Sequence, residues 1–476
     1  MRGPILLLTA VLGLNASLRG LAGETKGPSP LEAVLKEAEV LKFPRGDRLP
    51  LFLWTPDYPN TTDDVELERV IKELDARGIS LLARWHAGDV EKGGALALRI
   101  AKIQKKLGLR VCVEAAGDIV HGAYDGKPDV AHKDADGKPF FDKSFFWSPG
   151  CPFAMNLRYD VMKARLEPFL KKYKESDVDV DFWTADYEFD GPDEWNAGWA
   201  TAKKCTVCRE KVKNIDSDFS AFQTAVRGVR SEFQNEVFCK TIRSYFPKAL
   251  IGVYGMNPND GTRYWWDFFE KPEVIDGVSY KKDNGGLYRP WPNEFTPAGY
   301  NAAMPVIYSL YNPYSFDNKE YGWFYNMLLE ATATAKNTPP EIPLIPFVHW
   351  ALTAPAGKVP LSEEKYEELL WHLLLRGHDT FCMWCPGEQM SRAVTPVQRV
   401  YAASLEYKDF LDKGQPIVFD VPASPGTVVS ALKLGNRLLV RRTDFTAATE
   451  PAMVSVDGKQ VPIPRADGKC QLITLP

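Results

Sequence analysis

The 476-residue chain lacks any charge excess large enough to name a polyanionic partner. Its 58 Lys and Arg stand against 62 Asp and Glu, a formal net charge of −4. Nucleic acid and anionic lipid surfaces select proteins with a basic excess, so neither is expected as a partner. Beyond the N-terminus no apolar run reaches the ~20 residues needed to span a bilayer, so no membrane contact is expected of the mature protein. A Gly-rich phosphate turn after an early strand is also missing, which argues against a dinucleotide-binding open sheet. No solenoid repeat and no low-complexity tract occurs. The Asp- and Gly-rich loop from Asp125 to Pro139 lacks calcium-loop spacing. His86, Asp89 and His121 lack tight ligand spacing. No metal and no cofactor are therefore assigned.

The one long hydrophobic stretch lies at the start. Arg2 makes a short basic region, Pro4 to Leu18 is apolar around Asn15, and the small residues Ala22 and Gly23 follow. That order reads as a secretory signal over residues 1–23, too short for a membrane anchor, and predicts a secreted or periplasmic protein. Eight cysteines include two C-x-x-C pairs, Cys205/Cys208 and Cys382/Cys385. Neither pair has histidines at zinc-finger spacing, and after export disulfides are the first expectation. A four-thiolate zinc site remains the alternative if the pairs meet in space. Aromatic residues make up 12% of the chain, with 13 Trp and 19 Tyr, a content that suits stacking against flat sugar faces.

From residue 48 a short apolar segment, a polar loop and a helix-period segment alternate. The strand-like segments are DRLPLFLWTPDYP, ISLLARWHAGD, LRVCVEAAGDI, VDVDFWTADYEF, ALIGVYGMN, AMPVIYSLYN, PLIPFVHWAL and DTFCMWCPG. VIDGVSYKK is a further extended piece between the fifth and sixth. Eight strand–helix units predict an α/β fold, a (β/α)8 TIM-type barrel over residues 24–413. From Gly414 the pattern changes to short alternating segments separated by Gly, Pro and Asp. It predicts a small C-terminal antiparallel β-sandwich domain over residues 414–476.

Barrels carry their chemistry where strands end. Strand four runs into Thr184-Ala185-Asp186-Tyr187-Glu188. Alternation puts Val180, Phe182, Thr184, Asp186 and Glu188 on one face and Trp183, Ala185 and Tyr187 on the other. The first face is apolar at its base and acidic at its tip; the second is apolar throughout. Carboxylates two residues apart on a strand are ~6–7 Å apart at the backbone, close enough to raise one pKa and leave a neutral acid beside an ionised partner. That arrangement suits general-acid cleavage of a glycosidic bond. Strand seven ends Phe347-Val348-His349-Trp350 and carries no acidic nucleophile, so a route without a protein nucleophile fits better.

The segment Asp181-Phe-Trp-Thr184-Ala-Asp186-Tyr-Glu188 resembles the DxxDxDxE signature of family 18 chitinases, with Thr184 at the middle Asp. Asp186-Tyr187-Glu188 is also similar to the Asp-Trp-Glu of the hyaluronidases (family 56) and to the DxE of family 25 lysozymes. The resemblance covers about eight residues and the barrel frame. It implies a retaining, substrate-assisted glycoside hydrolase acting on N-acetylhexosamine-containing oligo- or polysaccharides. Glu188 would be the general acid/base and Asp186 would orient the acetamido group. It also implies a tyrosine near strand six on the acetamido oxygen, Tyr308 or Tyr311, and a strand-eight tryptophan, Trp384, as the floor. The strand-six M-x-Y-D of the chitinases is replaced here by IYSLYN. His349, Trp350, Tyr254 and Trp85, at other strand ends, complete the candidate substrate-binding set; Glu114 and Asn257 read more simply as satisfied polar groups. Two other readings stand beside this one. One is a retaining α-glycosidase with Asp186 as covalent nucleophile and Asp317 as acid; the other is a non-catalytic carbohydrate-binding barrel.

Overall fold

The computed structural model describes residues 30–54, 63–85, 91–116, 122–143, 148–186, 196–258, 274–275, 278–279, 292–308, 320–350, 361–384, 389–466 and 468–475. The expected signal segment lies outside the described residues, and among these no helix is long and apolar enough to cross a membrane.

All eight expected strands form, each short. β1 (Leu51–Trp54) pairs with β2, which runs as Ile79–Leu81 and, past Leu82, as Ala83–Trp85. The second piece of β2 pairs with β3 (Cys112–Ala116), β3 with β4 (Phe182–Asp186), and β4 with β5 (Leu250–Val253). On the other side of β1 lie β8 (Cys382–Trp384), β7 (Phe347–Val348) and β6 (Val306–Ile307), in that order. Every one of these pairings is parallel, and parallel neighbours need long crossovers. Helices such as Asp64–Ala76, Lys92–Lys106, Tyr159–Glu175 and Glu363–Leu375 supply them. Asp63 and Ser362 start two of these helices by accepting hydrogen bonds from Val65 N and Lys365 N.

β2 bridges the two sheets, since Leu82 N donates to Leu53 O at 2.9 Å. Beyond β5, Ala302 N donates to Ile251 O at 3.1 Å and Gly255 N to Met304 O at 3.0 Å, carrying backbone pairing toward β6.

Strand alternation sorts the apolar side chains into two cores. Phe52, Leu82, Cys112, Phe182, Phe347 and Cys382 pack with Met304 and Ile345 in one cluster. Their sequence neighbours Leu53, Ala83, Val113, Trp183, Val348 and Met383 join a larger cluster with the helices. Phe52 and Phe182 meet with ring centroids 4.4 Å apart. Gly252 makes room for Met304, because a Cβ there would lie 2.5 Å from its sulfur. The expected two faces of strand four hold for Phe182 and Thr184 against Trp183 and Ala185. Val180 does not share the first face. The strand starts only at Phe182, and Val180 packs in the helix-side core. Asp181 anchors that start by accepting from Val111 N at 2.8 Å.

The tail forms β9 (Gln415–Pro416), β10 (Thr427–Leu434), β11 (Arg437–Asp444), β12 (Ala452–Val456), β13 (Lys459–Ile463) and β14 (Gln471–Thr474). β9, β10, β11 and β14 make a four-stranded antiparallel sheet, and β12 and β13 a separate hairpin. One sheet face shares an apolar core with the hairpin through Ala431, Val440, Val454 and Ile463. The other lies on the helix Glu363–Leu375 across a buried polar seam. There the Arg441 and Glu368 side chains, each 6% exposed, pair at 2.6 Å. His372 sits between Ser430 Oγ at 2.8 Å and Thr443 Oγ1 at 3.0 Å.

The expected disulfides are not formed among the described residues. Cys112, Cys151, Cys205, Cys208, Cys239, Cys382 and Cys470 are all free thiols, and Cys385 lies outside the described residues. Cys382 is a packing residue of the strand-lined core, where burial pushes its thiol well above the usual range.

Candidate active site

The side chains that follow the strand-lined core outward, two residues on, are Trp54, Arg84, Glu114, Thr184, Tyr254, Tyr308, His349 and Trp384. Five of them are rings or imidazoles from five different strand ends, and they form one connected group. Trp54 and Trp384 lie 5.9 Å apart. Trp384 lies 5.1 Å from His349, and His349 lies 6.2 Å from Tyr308. The Tyr308 hydroxyl accepts from Trp384 Nε1 at 3.1 Å and exchanges a hydrogen bond with the Tyr254 hydroxyl at 2.8 Å. Tyr254 meets the Phe347 ring edge at 5.1 Å, tying the group to the core below. Trp54, Tyr254 and Trp384 are half-buried.

Beside Trp54, β2 and β3 add charge. Arg84 and Glu114 are register partners, with Arg84 Nε 3.4 Å from Glu114 Oε2, and the Arg84 guanidinium stands 5.3 Å from the centre of the Trp54 ring. Glu114 is only 2% exposed, so its carboxylate lies buried beside the Arg84 guanidinium. On β4, Thr184 donates to the Met304 sulfur at 3.3 Å, and Asp186 ends the strand in register with Ala116.

His349 is 2% exposed, and neither ring nitrogen finds a hydrogen-bond partner among the described residues. Burial lowers its pKa from 6.5 to about 4, so the imidazole is neutral near pH 7. His378, also buried, is likewise lowered to about 4. Below pH ~6.5 the unfolded chain takes up protons that the folded chain refuses until about pH 4. The stability these groups give is thus complete above 6.5 and lost on descent to 4. Urea unfolding should show a loss of up to about 3 kcal/mol from His349 alone across that window. His349→Phe should make the pH dependence shallower.

The structure gathers Tyr254, Tyr308, His349 and Trp384 from the expected set. Two members are elsewhere. Trp85 is fully buried on the helix side, stacked on Phe169 at 5.2 Å and edge-on to Tyr173 at 5.1 Å; alternation gives the open side of β2 to Arg84 instead. Trp350 donates to Leu361 O at 2.9 Å, stacks on Tyr366 at 6.3 Å and lies under the Arg392 guanidinium, so it packs among helices. Asn257 accepts from Thr334 Oγ1 at 2.8 Å and is a structural polar group. Glu188 and Tyr311 lie outside the described residues, as do Asp317, His86, Asp89 and His121. Trp54 and Arg84 were not anticipated. Counting by twos from Phe52 and Leu82 would have found both.

No family of known sequences matches the chain, and no curated protein matches it. Among solved structures, it is similar to α-L-fucosidase isoenzyme 2 from Paenibacillus thiaminolyticus, at 10% identity and a TM-score of 0.44, covering 78% of this chain and 51% of that one. It is also similar to the β-galactosidase of the Antarctic haloarchaeon Halorubrum lacusprofundi, at 10% identity and a TM-score of 0.45, covering 77% and 59%. The chain therefore spans little more than half the length of these two. A third likeness is to Eubacterium rectale Amy13B, at 9% identity and a TM-score of 0.44, covering 94% and 98%.

Proposed function

We propose that the chain is a secreted or periplasmic glycoside hydrolase acting on N-acetylhexosamine-containing glycans by the retaining, substrate-assisted route. Residues 24–413 form its closed (β/α)8 barrel, and residues 414–476 a small sandwich domain that braces it. The backbone hydrogen bonds from Leu82 N to Leu53 O and from Ala302 N to Ile251 O support closure. The observation that carries the reading is the convergence of Trp54, Tyr254, Tyr308, His349 and Trp384 at the strand ends, where Asp186 ends the neighbouring β4. Half-buried rings at the strand ends give a pyranose ring the apolar floor it requires, and the reading assigns the charged group at the reacting carbon to the end of β4.

In this reading Glu188, as a neutral acid, protonates the leaving oxygen. Asp186 stays ionised, orients the acetamido group and balances the positive charge that develops as its oxygen attacks the anomeric carbon. Tyr308 is the strand-six tyrosine of choice. Hydrogen bonds with Trp384 Nε1 and the Tyr254 hydroxyl fix its position among the strand-end rings. Neutral His349 keeps the floor uncharged beneath the sugar.

Aryl glycosides with and without the 2-acetamido group test the proposal, together with a thiazoline analogue of the cyclised intermediate. Turnover confined to the acetamido substrates and blocked by the thiazoline is expected. Equal turnover of glucosides would sink the substrate-assisted route and favour Asp186 as covalent nucleophile. Loss of the Trp384 floor should raise KM about tenfold, the effect of ~1.4 kcal/mol of lost ring contact. Steady-state kinetics of Trp384→Ala checks this.

A further inference from the structure

Away from the strand ends, the loops that follow β3 and β4 bring four metal-binding side chains into one buried knot. His132, Cys151, Cys205 and Cys208 are each 0% exposed, and their ligand atoms all lie within 4.8 Å of one another. The Cys151 and Cys208 sulfurs are 3.6 Å apart, and Cys208 Sγ is 3.9 Å from His132 Nδ1. Sulfurs bound to one tetrahedral zinc are held about 3.8 Å apart and a sulfur and an imidazole nitrogen about 3.5 Å apart, given Zn–S ≈ 2.3 Å and Zn–N ≈ 2.0–2.1 Å. A separation of 3.6 Å is far longer than a sulfur–sulfur bond of about 2.05 Å.

The surroundings are built for these four groups. Cys205 stands at the N-terminal cap position of the short helix Thr206–Lys211, and Cys208 lies within that helix. The Cys151 carbonyl accepts from Tyr124 Oη at 2.8 Å, and Cys151 N donates to Val130 O at 2.8 Å. Gly150 permits that close approach, because a Cβ there would lie 2.2 Å from Val130 O. The His132 ring is stacked on Phe140 at 5.2 Å, which fixes its plane. An apolar shell that includes Trp199, Ile215 and Phe222 keeps water out. Three thiols around an imidazole in an apolar shell have no packing advantage over aliphatic residues. They do match a closed Cys3His ligand set.

We propose that the chain binds one structural zinc ion through His132, Cys151, Cys205 and Cys208, pinning the loop after β3 to the loop after β4. All four coordination positions come from protein, so the ion has no open position for substrate and its role is to order the two loops. Residues 199–226 surround the site as a satellite core separate from the main ones, too small to hold its loops alone. Binding displaces thiol protons, so zinc retention should weaken as pH falls.

Metal analysis of the purified full-length protein tests this. About one zinc per chain is expected in the wild type, released in step with the thiols by a mercurial reagent. Cys205→Ser and Cys208→Ser should each lower zinc content at least tenfold, whereas Cys470→Ser, outside the cluster, should leave it unchanged. Chelation at elevated temperature should lower the melting temperature of the wild type by several degrees and not that of a zinc-free variant. If the cysteine variants do not fold, cobalt replacement in the reduced wild type substitutes for them, because a tetrahedral thiolate site gives intense visible bands. A wild type that holds no zinc after purification and fails to take up cobalt when reduced would overturn the proposal. So would a Cys205–Cys208 disulfide in the mass-mapped native protein.

Discussion

Glu188→Gln is expected to lower kcat on N-acetylhexosamine-containing oligosaccharides by about 10²–10⁴-fold, the contribution of a positioned general acid. The amide keeps the volume of the carboxylic acid and cannot give up a proton to the leaving oxygen. KM should change little, since the floor of Trp54 and Trp384 is untouched. The loss should shrink for substrates whose leaving group needs no protonation, such as a nitrophenol, and be largest for a natural sugar leaving group. A merely structural role for Glu188 would reduce all substrates alike. Asp186→Asn should cost a comparable factor with a different signature, raising the thiazoline inhibition constant, because in the proposed route Asp186 balances the charge that the thiazoline mimics. Unchanged turnover in Glu188→Gln would remove Glu188 from the mechanism.

Glu368→Ala is expected to destabilise the protein by about 3–5 kcal/mol, the cost of stranding a buried charge. Glu368 accepts two hydrogen bonds from Arg441, at 3.0 and 2.6 Å, and one from Thr443 Oγ1 at 2.5 Å. Arg441 also lies 5.0 Å over the Trp371 ring and cannot swing out to solvent without losing that contact. Removing the carboxylate leaves the guanidinium buried between the helix and β11. The double variant Glu368→Leu/Arg441→Leu should recover most of the loss, because no charge is then left behind. Urea unfolding of the three proteins decides it. A single variant no less stable than the double would mean that the seam is hydrated.

The same seam explains an element that sequence patterning did not reveal. The helix Glu320–Asn337 is buried along nearly its whole length, from Gly322 to Thr334, so it shows no polar stripe and no amphipathic period. Its outer side is covered by the tail: Phe324 and Tyr325 pack on Phe445 at 5.0 and 5.3 Å, and the Tyr325 hydroxyl bonds Gly426. A helix roofed by a sheet from the far end of the chain looks, in sequence, like featureless apolar chain. The helix Asp64–Ala76, with one open face and an Asp cap, was plain.

For the candidate site, His349 followed from knowing where strands end, whereas Trp384 and the choice of Tyr308 or Tyr311 came from the resemblance of strand four. The strand-end rule misplaced Trp85 and Trp350, because an aromatic at a strand end is equally at home against helices, and only its parity relative to the neighbouring core decides the side. In β2 the consecutive apolar residues Leu81, Leu82 and Ala83 hide that parity, so Arg84 and its partner Glu114 emerge only once Leu82 is seen to face Phe52 and Cys112.

The sequence by itself determined the eight parallel strands, the β-rich tail and the two-sided character of β4, since alternation and capping act between near neighbours along the backbone. Tertiary structure alone decided which rings meet at the strand ends, that the tail roofs a helix, and that His132 and Cys151 join Cys205 and Cys208. Those meetings depend on loop closure and packing between distant segments, and no local spacing encodes them.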